Sequence, residues 1–361
     1  MNRGVRGTVK RRYVGLDIFR VVSVLAVCAF HTTIHLGCNY GILQPVSLMG
    51  AMFMTAFFML SGFSLYINYS KENLCDLKQA KVFFIKRAIG ILPMYYVAAI
   101  LYILIISKGS IKETLFYLPI EALGLQSTFS SLFGYSHNGG TWFVSCIIIC
   151  YLVYPYLQEI VKQMNMKAKL FLFAICGSIL LYAPLVVLFS GIANIYSNPF
   201  FRLLEFLVGV LLASVRIELS ENRIIKKLIF SWGGVLLEGI IYTICVTAAV
   251  KRNIQIGNYM FYSWNGLPLF SLMLLGMSGV ESKMIEKSKL LQYFSSMSYT
   301  FFLAQLYSNW LCKKIIAHFV ITSNGIKMLL GWGSCIVIAF VLHEVFEKRI
   351  TRFLKVNLLP K

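Results

Sequence analysis

From Val21 to Ser70 the chain carries no Asp, Glu, Lys or Arg. The same holds from Ala122 to Gln158, Leu170 to Phe201, Asn253 to Val280 and Leu290 to Cys312. Stretches this long without charge belong in a bilayer. About 20 apolar residues span the hydrocarbon core as a helix, which satisfies every backbone N–H and C=O within the segment. Only 13% of the 361 residues are charged and 58% are hydrophobic, whereas soluble domains carry about 25% charge. The expected fold is therefore all-α, a polytopic integral membrane helix bundle. It is read as one domain over residues 1–361, in the cell membrane.

Ten spans are expected, near 14–36, 46–69, 84–106, 141–161, 169–190, 200–215, 228–250, 258–279, 291–312 and 326–347. The stretch 110–136, with Pro119 and Gly124, reads as a re-entrant or interfacial helix. Most of the 34 Lys and Arg gather in the N-terminal segment, in alternate connections and in the C-terminal segment. That bias puts both termini in the cytoplasm. The net charge of +20 then faces anionic lipid, and no nucleic-acid partner is expected. The N-terminal basic segment leads into a span without a small-residue cleavage site, so no removable signal is expected. The nine cysteines form no CxxC pair, and neither a disulfide framework nor a zinc site is read from them.

The first span contains ionisable residues. Arg20 and His31 are eleven residues apart, about 20° beyond three full helical turns. They share one face, about 16 Å apart along the axis. Asp17 and His35 lie one turn beyond each end on that side. Two readings of the stripe stand. In one it faces the bundle interior or a wet cavity. In the other Arg20 snorkels to the headgroups beside Asp17, and His31 and His35 sit at the outer interface. His31 and His35 have the spacing of a metal pair, but no carboxylate lies close in sequence, and no metal is expected.

Six segments carry a family resemblance. "LDIFRVVSVLAVCAFH" (16–31) resembles the opening motif of the acyltransferase-3 family of membrane O-acyltransferases. "FFMLSGFSLY" (57–66), "FFIKRAIGILPMYY" (83–96), "TWFVSCIIICYLVYPYL" (141–157), "RLLEFLVGVLLA" (202–213) and "HEVFEKRI" (343–350) are similar to its later motifs, in the family's order. Two positions depart. Gly90 stands where the family often has a second Arg, and Gln305 where it often has His. The resemblance implies transfer of an acyl group, usually acetyl, from cytosolic acyl-coenzyme A (acetyl-CoA) to a hydroxyl. It implies a cell-envelope sugar, polymer or lipid-linked precursor as acceptor.

The residues suit that chemistry. A hydroxyl is a poor nucleophile until its proton is removed, and an imidazole does this near neutral pH. His31 is the candidate catalytic base. Arg20, Lys86 and Arg87 are candidate donor-binding groups, since guanidinium forks match phosphate oxygens; ordinary positive-inside charge is the other reading of Lys86 and Arg87. Asp17, His35, Ser61, Trp142, Arg202 and Glu205 are candidate supporting residues. Arg202 and Glu205 read either as a local ion pair at an outer helix end or as groups facing the acceptor. Trp142 reads either as part of an interfacial belt or as a platform for a sugar ring. Ser61-Gly62-Phe63 reads first as a close-packing motif. Glu238 lies in a span and needs a partner. His137 and His318 read as solvated loop residues, and His343 with Glu344 as a pair at the cytoplasmic end. The acyl group crosses either through a deep shared cavity or on a transient acyl-protein. The competing classes are a transporter or exporter and a non-catalytic membrane receptor, since a polar helix face also lines permeation paths.

Overall fold

The computed structural model describes residues 12–106, 111–128, 132, 139–190, 195–219, 231–251 and 266–360. Helices and short connections account for these residues, with no strand among them. α1 (Val14–Leu36) forms from an uninterrupted apolar run and ends at Gly37, which takes φ +67° and turns its N–H back to the Thr32 and Thr33 carbonyls. That left-handed turn favours glycine. Short helical turns at Gly41–Leu43, Gln44–Leu48 and Gly50–Met52 lead into α2 (Phe53–Tyr69). The span expected from residue 46 is thus broken in its first turns. α3 (Leu77–Ile105) starts seven residues before its expected position, because the Asp76 side chain accepts from the Gln79 N–H and caps it. α4 (Ile111–Ala122) occupies the stretch read as interfacial.

The remaining helices are α5 (Trp142–Gln163), α6 (Met166–Ser190), α7 (Pro199–Leu219), α8 (Trp232–Lys251), α9 (Leu267–Gly279), α10 (Lys289–His318), α11 (Asn324–Val341) and α12 (Lys348–Leu358). A π-helical turn at Leu342–Glu347 joins the last two into one rod. Its wider winding pairs His343 Nδ1 with Glu347 Oε2 at 2.5 Å rather than with Glu344. Glu344 accepts instead from the Tyr293 hydroxyl at 2.7 Å. The expected His343–Glu344 pair is corrected accordingly. His137 lies outside the described residues.

Seven described helices are long and apolar enough to cross a bilayer by length and composition. Three expected spans are helical but miss that standard. α7 carries Arg202, Glu205, Arg216 and Glu218. α9 has 13 residues, and residues 252–265 before it lie outside the description. α10 is interrupted by Ser, Gln and Asn along its 30 residues.

α2 is the central helix. Protein buries 78% of its apolar window, against 22% for α3 and α8. Its closest neighbour is α7, and two glycines explain the approach. A Cβ on Gly62 would sit 2.0 Å from the Phe206 carbonyl oxygen, and one on Gly209 would sit 1.9 Å from that of Met59. Small residues at such crossings let backbones touch, which replaces the hydrophobic drive that lipid does not supply. α1 packs between α2, α9 and α10, so its polar stripe meets protein on several sides.

Gly209→Ala should therefore force α2 and α7 apart and cost about 1–3 kcal/mol or more. Gly239→Ala on α8, where a Cβ meets nothing within 4 Å, should leave stability unchanged or raised. Thermal unfolding of the purified protein in detergent would compare the two.

Candidate active site

The N-terminal end of α1 is a charge network. Arg12 Nε donates to Asp17 Oδ2 at 2.6 Å. The Ser295 hydroxyl on α10 donates to Asp17 Oδ1 at 2.6 Å. Arg20 Nη1 reaches Asp17 Oδ1 at 3.3 Å and Ser295 Oγ at 3.1 Å. Asp17 is thereby fixed and in turn fixes Arg20. Yet 33% of the Arg20 side chain stays accessible, because it lines a half-open cavity of about 240 Å³ between the helices.

Five helices each give that cavity a wall residue: Arg20 from α1, Ser61 from α2, Gly90 from α3, Tyr151 from α5 and Ser298 from α10. The rest of the wall is largely aromatic and aliphatic. Arg87 stands behind Tyr151. Its guanidinium lies 5.9 Å from the Tyr151 ring centre, 5.7 Å from that of Tyr69 and 5.9 Å from that of Phe83. Its Nη2 contacts the Tyr69 hydroxyl at 3.4 Å, and its Nε is buried without a hydrogen-bond partner. Arg20 and Arg87 thus approach the same tyrosine. Neither Arg87 nor Lys86 lines the cavity itself.

His31 lines a second, smaller cavity of about 70 Å³ with Thr141, Trp142, Tyr196 and Gln305. Met54 and Phe302 line both cavities. The two chambers are neighbours along the α1 stripe, with those two apolar side chains between them. Of the two readings of the stripe, the interior one fits. His35 is not on the chamber wall. Its ring meets that of His31 at 5.5 Å between centres, and its Nδ1 lies 3.4 Å from Lys313 Nζ. Among the described residues, no three His, Cys, Asp or Glu side chains gather as a metal cluster would.

Arg202 and Glu205 are buried, with 0% and 2% of their side chains accessible. Arg202 Nη1 donates to Glu205 Oε2 at 2.7 Å, and Nε donates to the Tyr196 carbonyl at 2.8 Å. Thr55 Oγ1 donates to Glu205 Oε1 at 3.0 Å. The guanidinium faces Tyr196 at 4.7 Å, Trp142 at 5.1 Å and Phe58 at 5.4 Å. Of the two expected readings, the local ion pair is present near the start of α7, buried in the bundle. It stands behind the aromatic wall of the His31 chamber and holds that wall in place. Trp142 is 7% exposed, so the interfacial-belt reading fails; its ring is packed in the bundle.

Sequence reasoning missed Tyr151, Tyr196, Ser298, Met54 and Phe302. Nothing in their residue types marks them, because tyrosines and apolar groups are frequent throughout a chain with 20 Tyr and 28 Phe.

Fold and site together define a multi-pass membrane protein with two adjoining, mostly apolar chambers in the bundle, one carrying Arg20 and the other His31. The chain belongs to the acyltransferase-3 family, whose model, described as an acyltransferase domain, matches residues 13–344. Membership implies acyltransferase activity. No curated protein and no solved structure matches the chain.

Breaking a buried ion pair by removing one partner costs about 3–5 kcal/mol, since it strands the other charge. Arg202→Met should lose about that much, and the double variant Arg202→Met/Glu205→Gln less. Unfolding midpoints of the single and double variants measure the difference.

Proposed function

We propose that the chain moves an acyl group, acetyl in the first instance, from cytosolic acyl-coenzyme A to a hydroxyl of a cell-envelope sugar, polymer or lipid-linked precursor. The observation that carries this reading is the pair of adjoining cavities on one helix face, Arg20 in one and His31 in the other. Both termini lie in the cytoplasm and the protein sits in the cell membrane.

The donor occupies the Arg20 chamber. Arg20, steadied by Asp17, meets phosphate or carbonyl oxygen of the coenzyme, and the apolar wall accepts its alkyl arm. Arg87, whose side chain is only partly buried behind Tyr151, draws the coenzyme's phosphates toward the cytoplasmic end of α3, and Lys86 adds charge at the mouth. Ser61 and Tyr151 line the same wall. The thioester passes between Met54 and Phe302 into the His31 chamber. Methionine suits such a point because its thioether chain repacks easily.

There His31 takes the proton of the acceptor hydroxyl. The hydroxyl oxygen bonds to the acyl carbon, the C–S bond breaks, and the coenzyme leaves as its thiol with the proton. Transfer is direct, through the shared cavity. Trp142 and Tyr196, backed by Arg202 and Glu205, form the wall against which the acceptor lies, and His35 stands one turn further out.

The test is release of coenzyme thiol by protein reconstituted with acetyl-CoA and envelope glycan. His31→Ala should lower acceptor-dependent release by about 10²–10⁴-fold. Arg87→Ala should raise the acetyl-CoA KM about tenfold, the loss of a charge-assisted hydrogen bond. Unchanged donor affinity in that variant removes Arg87 from the donor site. Acceptor flux without coenzyme release would mean a transporter instead. Mass spectrometry of envelope glycans with and without the protein identifies the acceptor.

A further inference from the structure

Gln305 is a buried amide on α10, 2% exposed, and it lines the His31 chamber. Its Nε2 lies 3.5 Å from the Val24 carbonyl on α1. Val24 is two turns before His31, on the same helical face. That contact orients the amide, with nitrogen against α1. The oxygen is left over: Oε1 is buried without a hydrogen-bond partner. A buried acceptor with no donor is costly, so one kept beside a reaction chamber points to a donor that arrives with the ligand.

The chamber's size limits what that ligand presents. About 70 Å³ holds a few waters, on the order of 30 Å³ each. The chamber is narrow and open on one side, so a ring can present one hydroxyl-bearing edge into it while its body stays outside. Two polar groups from facing helices meet that edge, His31 to receive one proton and Gln305 Oε1 to accept from a second O–H. Much of the remaining wall is apolar, including Met54, Trp142 and Phe302. We propose that Gln305 is a specificity-determining residue that accepts a hydrogen bond from a second hydroxyl of the acceptor, so that the edge presented to His31 is a vicinal diol. This rests on the transferase reading of the His31 chamber.

A site built to hydrogen-bond a hydroxyl discriminates strongly against the analogue that lacks it, because its own polar group is then left unpaired. The experiment uses the full-length protein in detergent with acetyl-CoA as donor. The probes are trans-1,2-cyclohexanediol and cyclohexanol, which differ by one hydroxyl. Wild-type protein should favour the diol in kcat/KM by tenfold or more. Gln305→Leu, of similar size but apolar, should bring that ratio to within about twofold. Gln305→Glu, which keeps an acceptor oxygen, should restore most of it. A ratio unchanged in the Leu variant, or absent from the wild type, overturns the proposal.

Binding of the same probes without donor, by saturation-transfer NMR, separates this inference from the transferase reading. Diol-selective binding that disappears in Gln305→Leu, in a protein that transfers no acetyl group, would sink the transferase reading and leave the Gln305 assignment standing. Equal binding of both probes to the wild-type protein sinks the Gln305 assignment whatever the transfer assay reads.

Discussion

A guanidinium inside an apolar helix bundle has to be held by protein groups, because lipid offers it nothing. Among the described residues Arg20, Arg87 and Arg202 each meet that requirement, and the Arg202 and Arg20 solutions organise the molecule. Arg202 is closed off. Glu205, a backbone carbonyl and three aromatic rings surround it, and none of its side-chain surface remains accessible. Arg20 is left partly open, held from behind by Asp17 and Ser295 and facing a cavity in front. The closed site builds a wall; the open site presents a charge to whatever enters.

The geometry of the bundle follows from that division. α2 is drawn against α7 through Gly62 and Gly209. The contact brings Phe58 and Thr55 of α2 to the Arg202 cluster and leaves Met54 and Ser61 of the same helix facing α1 and the cavities. One helix thus serves both polar sites, and close backbone packing sets where the chambers lie. Displacing α2 would shift the wall behind His31 and the Met54 constriction together.

An acyl transfer inside such a bundle calls for limiting water at the reacting groups. Two small chambers with a narrow apolar contact between them suit that need better than one wide cavity. The polar groups are few; Arg20, His31, Ser61, Tyr151, Ser298 and Gln305 sit on long helices, and Thr141 and Tyr196 on the short turns that lead into α5 and α7. Their positions are therefore set by packing, which is what a site needs if its groups are to be preorganised.

Much of the architecture was legible in the amino-acid sequence. Charge-free runs marked the helices because bilayer and backbone together permit little else. The eleven-residue spacing put Arg20 and His31 on one face of α1 because helical pitch is fixed. Tertiary structure alone decided what that face meets. It showed that the stripe borders two chambers, that Arg202 stands behind the aromatic wall, that Trp142 is internal, and that Tyr151, Met54, Phe302 and Gln305 complete the chamber walls. The physical reason is that spacing along one helix reports direction, whereas a cavity is made by side chains from several helices distant in sequence. A tyrosine, a methionine or a phenylalanine in an apolar chain carries no mark of which neighbour it will face.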